Sequence, residues 1–194
     1  CSFEVNKSKA LRNLVVHYDG AIVMDNPDPK FLGVTLDRTL SFKPHLEKLS
    51  AKVKTRVNLI QKLANTSWGA TAETLRISTI ALVHSTAEYC APVWINSCHT
   101  NLVDTQLNQA MRTISGTIRT TPLQWLPVLS NIAPPRSRRL AALKSQLEKC
   151  DANPSLSLHA DAGVLRTQLL RLKSRQPPAA ATNELSNFNI NVHW

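Results

Sequence analysis

The hydrophobic period of this chain changes once, near residue 42, and that change limits what it can fold into. Ahead of it lie short apolar runs at 1–5, 14–18, 21–24 and 31–36, spaced as strands. Behind it apolar residues recur every three to four positions, as on helices. The run Lys30-Phe31-Leu32-Gly33-Val34-Thr35-Leu36-Asp37 sits at the changeover and reads as the last strand of one layer and the hinge into the next. The expected class is therefore α+β: a small antiparallel sheet of three or four strands, covered by an α-helical bundle.

Asp19-Gly20 between two apolar runs is a hairpin signal, because a type I′ turn needs positive φ at both central residues. The loop 25–29 holds two prolines that cannot donate to a ladder. Pro44 fits the first turn of a helix running to about Leu63. On its wheel Leu46, Leu49, Val53, Val57, Ile60 and Ala64 span an arc of about 100 to 180°, and Lys48, Lys52, Arg56 and Lys62 span about 320 to 80°. The basic stripe thus borders the buried one, where a helix resting on a neighbour would hold its cations at the rim of a groove.

A second helix, 72–89, is capped by Thr71 and apolar nearly all round, which places it in the middle of the bundle, with Pro92 ending or kinking it and Trp94 as a core anchor. A third, 101–115, ends at Gly116 as a left-handed cap. Thr121-Pro122-Leu123-Gln124 has the spacing of a capping box opening a short helix. Beyond Pro134-Pro135 come a basic helix over 136–150, another over 163–174 with Leu165, Leu169, Leu170 and Leu172 on one side, and an unstructured tail from 176. The segments expected are 1–42, 43–134, 135–175 and 176–194.

The formal charge of +10 is unevenly placed. Residues 43–66 carry six Lys or Arg against one acid and 135–175 carry nine against three, while 1–42 and 67–134 each balance. Cations gathered in this way favour a polyanion, since each neutralised phosphate releases counterions; the alternative on charge alone is a solvated basic face. The candidate nucleic-acid contacts are Lys48, Lys52, Arg56 and Lys62 in the first block and Arg136, Arg138 and Arg139 in the second.

Catalytic signatures are missing. There is no Asp-Asp pair, Gly-rich phosphate loop, GxSxG or HExxH, and Asp25, Asp28 and Asp37 have turn contexts. His84, Ser85 and Glu88 share a helix without the spacing for a relay among all three. Cys1, Cys90, Cys98 and Cys150 complete no metal-ligand spacing, so no metal is assigned, and they read as reduced thiols of an intracellular protein, nuclear or cytoplasmic. The most apolar window, 77–95, contains His84, Glu88 and Pro92, which suits a buried helix and not a membrane span. A chain opening at Cys1 inside an apolar run is expected to be a piece of a longer product.

Lys30-Phe31-Leu32-Gly33-Val34-Thr35-Leu36-Asp37-Arg38-Thr39-Leu40-Ser41-Phe42 resembles the strand that closes the palm of reverse transcriptases of non-LTR retrotransposons, the jockey-like elements above all. The resemblance continues through Asn65-Thr66-Ser67-Trp68-Gly69-Ala70, through Ala81-Leu82-Val83-His84-Ser85-Thr86-Ala87-Glu88-Tyr89-Cys90-Ala91-Pro92-Val93-Trp94, through Arg112-Thr113-Ile114-Ser115-Gly116-Thr117-Ile118-Arg119-Thr120-Thr121-Pro122, and through Asn131-Ile132-Ala133-Pro134-Pro135-Arg136. Asn131 stands where that family commonly has glycine, and Phe31 where tyrosine is usual. The resemblance implies an RNA-directed DNA polymerase fragment with Phe31, Leu32 and Gly33 at the primer grip. It makes residues 43–134 the thumb, with Lys48, Lys52 and Arg56 on the backbone of an RNA/DNA or DNA duplex. The family's Mg²⁺ ions sit on carboxylates outside this chain, so no cofactor is implied within it, and its partners would be nucleic acid and the remainder of the polymerase. The rival classes are a host-retained helical module binding protein through the Leu165 to Leu172 face, and a decayed relic.

Overall fold

The computed structural model describes residues 15–65 and 67–156, together with Phe3 and His159. The strand expected over 1–5, Phe3 apart, the helix expected over 163–174 and the tail lie outside the described residues. Within them the chain is α+β: two small antiparallel hairpins followed by a helical bundle.

The first hairpin pairs β1 (Val16–Tyr18) with β2 (Ala21–Val23) around Asp19 and Gly20, whose φ values of 50° and 75° are those the Asp-Gly signal called for. The second differs from expectation. The run 31–36 is not one strand but a hairpin of its own, β3 (Lys30–Phe31) against β4 (Val34–Thr35), with Leu32 and Gly33 as the turn at φ 45° and 87°. A leucine is a poor turn residue, so the sequence carried no Asn-Gly or Asp-Gly mark there. Nor do the four strands form one sheet: β2 and β3 do not pair, and two separate two-stranded sheets result. The two prolines in the loop between them offer no N–H with which to join the ladders.

Asp37 fixes how the second hairpin enters the bundle. Its Oδ2 accepts from Thr39 Oγ1 at 2.6 Å, from Ser41 N–H at 3.0 Å and from Ser41 Oγ at 2.9 Å, while Oδ1 accepts from Phe42 N–H at 2.7 Å. Burial raises the pKa of this carboxyl, but the hydrogen bonds from Thr39, Ser41 and Phe42 outweigh it and hold the group below its usual value. The following helix, α1 (Lys43–Leu63), has Pro44 in its first turn and buries Leu46, Leu49, Val53, Val57 and Ile60 along the predicted stripe. It lies against α5 (Asn101–Ser115), which buries Val103, Leu107, Ala110, Met111 and Ile114 in the same core. Each of these side chains larger than alanine contributes about 1.5–3 kcal/mol of burial. Ser50 Oγ ties the pair by donating to the Leu102 carbonyl at 2.9 Å.

In chain order between them comes α2 (Ala72–Thr79), capped by Thr71 Oγ1, and it does not continue as one α-helix to residue 89. Residues Ile80–His84 form a π turn, Ser85–Ala87 return to α as α3, and Cys90 at φ 52° breaks the chain before α4 (Ala91–Trp94), where Pro92 opens a helix instead of ending one. Ile77 and Leu82 are exposed, so this element is a side of the bundle and not its middle. Trp94 is fully buried, as expected of an anchor. Gly116 closes α5 in the left-handed conformation. The capping box at Thr121 does not form. A 3₁₀ turn (Leu123–Trp125) leads instead into α6 (Leu126–Ser130), and Pro122 stands at the cap without a side-chain bond. Last comes α7 (Pro135–Asp151), packed on α4. Among the described residues no helix is long and apolar enough to cross a membrane.

Candidate nucleic-acid interface

The tip of the second hairpin and the N-terminal half of α1 form two walls of one groove of about 540 Å³. Gly33, Thr35 and Lys30 come from the hairpin, His45, Lys48 and Lys52 from α1, and Ser85, Thr86 and Tyr89 close the far side. Three lysines face Asp28 as the one carboxylate among the described lining residues. Outside the groove's inner wall, Phe31 (65% exposed) and Leu32 (74%) project from the hairpin.

Two contacts set the hairpin against the bundle. Tyr89 Oη donates to the Leu32 carbonyl at 3.0 Å, and its ring edge crowds Gly33, where an added Cβ would stand 3.0 Å from Cε1 and the ring would have to give way. Position 33 favours glycine first for its φ of 87° and then for this close approach. On the floor, His45 Nδ1 accepts the Thr35 N–H at 3.3 Å, and burial, then the charge of Lys48, depresses the imidazole pKa. That bond needs Nδ1 unprotonated, so neutral His45 is the form that holds β4 to α1.

The predicted contact residues separate into three sets. Lys48 and Lys52 line the groove beside Gly33, which joins the candidate primer-grip residue to the basic stripe. Lys62, on the same stripe, is too far along α1 to join them and borders a different hollow. Arg56, on the expected face, is engaged within the fold instead: its Nη1 donates to the Leu82 carbonyl at 2.7 Å, within the π turn. In the second block Arg136 is exposed at the start of α7. Arg138 Nη2 donates to Glu88 Oε2 at 2.9 Å, and Arg139, only 4% exposed, donates from Nη2 to Asp104 Oδ2 at 2.9 Å with its guanidinium 5.6 Å from the centre of the Trp94 ring. These two arginines, expected as nucleic-acid contacts, fasten α7 to the bundle. The buried one has no exposed surface to offer a phosphate.

Glu88 also pairs with His84 Nδ1 at 3.0 Å. Burial raises its pKa, but the hydrogen bonds of His84 and Arg138 and their charges bring it down to about 2. Ser85 turns away and donates to the Ala81 carbonyl, so no three-residue relay forms. A two-metal centre does not fit either. Asp25 pairs with Arg38, both Asp37 oxygens are taken by loop donors, and among the described residues no group of three His, Cys, Asp or Glu could hold a metal ion.

Sequence reading missed Lys30, His45 and Tyr89. His45 stands one helical turn before Lys48 and could have been added from the wheel. Tyr89 is 57 residues from Leu32 and carries no local sign of the contact. Comparison with known protein families, with curated proteins and with solved structures finds no match.

Proposed function

We propose that this chain is the distal palm and thumb of a non-LTR retrotransposon reverse transcriptase. Its groove would grip a template–primer duplex, RNA/DNA or DNA, through sequence-independent phosphate contacts, with the catalytic carboxylates in the remainder of the polymerase. The observation that carries this reading is the convergence of Gly33 with Lys30, Lys48 and Lys52 on one groove, from segments that the resemblance assigns to the primer grip and the thumb. Asn131 supports it. The residue stands where the family commonly has glycine, and its backbone is left-handed at φ 52°, a conformation that glycine and asparagine tolerate best.

The test is binding of the purified chain to a labelled RNA/DNA hybrid across a salt series, with the K48E/K52E variant in parallel. Affinity is expected to fall steeply with salt. The double variant should bind at least about tenfold more weakly and flatten the log–log salt slope by about 1.8, at about 0.9 per lost phosphate contact. Binding indifferent to salt, or equal in the variant, would overturn the assignment of the groove.

A further inference from the structure

We propose a second site, at the opposite end of α1 from the groove, that binds single-stranded nucleic acid, with one base stacked on Trp68 and the backbone following Lys62, Arg112 and Arg119. The inference goes beyond the duplex grip and does not depend on it. From Lys48 to Lys62 is about 21 Å along the helix axis at 1.5 Å per residue, so the two sites share a helix and no residues.

Two hollows, of about 420 and 600 Å³, are neighbours that share Gln61 and Ala64 in their walls. One holds Arg112 and Arg119, the other Lys62 and Trp68, and neither has a carboxylate among its described lining residues. The bland explanation is that the cations answer helix ends and backbone carbonyls, because Lys62 is in the last turn of α1 and Arg112, in the last turn of α5, donates from Nη2 to the Thr121 carbonyl at 3.1 Å while keeping its charge. Magnitudes decide against it as the whole account. A helix C-terminus carries about half a negative charge, so two of them offset about one of the three cations and leave about +2. Arg119, beyond the end of α5, is exposed and has no hydrogen-bond or ion-pair partner among the described residues.

The second observation is the way Trp68 is displayed. Ser67 donates to Asn65 Oδ1 from both N–H and Oγ at 3.1 Å, and Ala70 N–H closes the loop on the Leu63 carbonyl at 2.9 Å. Gly69 is packed so tightly that a Cβ there would lie 1.9 Å from the Asn65 carbonyl oxygen. This closed turn holds the indole 68% exposed, against the strong tendency of tryptophan to be covered. An exposed indole beside a cationic track, with the amides of Gln61 and Gln109 able both to donate and to accept, is the chemistry that takes unpaired bases. A duplex cannot use it, since its bases are already stacked on one another.

Titration of a labelled 12-mer oligothymidylate with the intact chain tests the proposal, using W68A, W68F, R119E and K48E/K52E, each checked for native circular dichroism. Trp68→Ala should weaken binding about 5- to 150-fold, the loss of one base–aromatic stack, while Trp68→Phe keeps most of the affinity. Arg119→Glu should weaken it and flatten the salt slope by about 0.7. K48E/K52E should leave oligothymidylate binding unchanged while losing the hybrid, and the reverse losses in W68A separate the two sites. No oligothymidylate binding by the folded wild type would overturn the proposal. So would equal affinity in W68A, equal losses in W68A and W68F, or loss in K48E/K52E instead.

Discussion

The two basic blocks look alike on a charge count and differ in the fold. In α1, Lys48 and Lys52 end at the rim of a groove whose one carboxylate among the described lining residues is Asp28, and neither makes an ion pair among the described residues. In α7, Arg138 and Arg139 meet Glu88 and Asp104, carboxylates from the balanced stretch 67–134, and they turn inward. The same excess of positive charge thus stands open at a groove rim in one block and serves attachment in the other. What separates them is whether the neighbouring element presents a carboxylate at the right height. Residue type follows this division: planar, bidentate arginine where a carboxylate is clamped, and lysine at the open rim.

The largest expected effect lies in the inward pair. Arg139→Ala should cost about 2–4 kcal/mol in urea unfolding. It strands Asp104 partly out of water and removes the guanidinium from Trp94, and the figure sits below that of a fully buried pair because Asp104 keeps some exposure. A loss no greater than that of an exposed substitution would mean that α7 is held by Leu140, Leu143 and the Arg138–Glu88 pair without help from Arg139.

Glu88 gives a smaller and pH-resolved effect. Its pKa is depressed in the fold to about 2, so the stability it supplies is complete above the ordinary glutamate range and disappears as pH falls through about 2. Acid titration of the native chain should therefore lose on the order of 2–3 kcal/mol from this group between pH 5 and pH 2. Glu88→Gln should be less stable than wild type at pH 7 by a similar amount and flatter over the acid interval. Parallel pH profiles for the two proteins would assign the acid sensitivity elsewhere, Asp37 being the next candidate because its pKa is also depressed.

This division was only half legible in the sequence. The α1 stripe could be read because an unbroken 3.6-residue pattern fixes which residues are buried, and every cation on the helix is then placed by rotation. The α5 boundaries and the Gly116 cap were legible for the same local reason. The fates of Arg138 and Arg139 were not, because their partners lie 50 and 35 residues away, and sequence periodicity carries no distance between elements. Arg56 failed differently. It is on the correct face, but a π turn in the neighbouring element presents the Leu82 carbonyl to it, and nothing in residues 80–84 announces that turn. The hairpin tip was missed because the usual turn residues are replaced by Leu32-Gly33, and its positive φ is sustained by a contact with Tyr89 that comes from much later in the chain.

The smallest expected effect on folding sharpens the comparison from the other side. Lys48→Glu with Lys52→Glu should leave urea stability within about 0.5 kcal/mol, because both side chains are exposed and neither makes an ion pair among the described residues. Removing like charge opposite Lys30 should offset part of any loss at low salt, since the groove gathers three lysines around one Asp28. The pairing of near-zero stability change with a large loss of hybrid binding is the signature of a face kept basic for a ligand. A large stability loss would instead put Lys48 and Lys52 in the same class as Arg138 and Arg139, as fastenings of the fold, and the distinction between the two blocks would collapse.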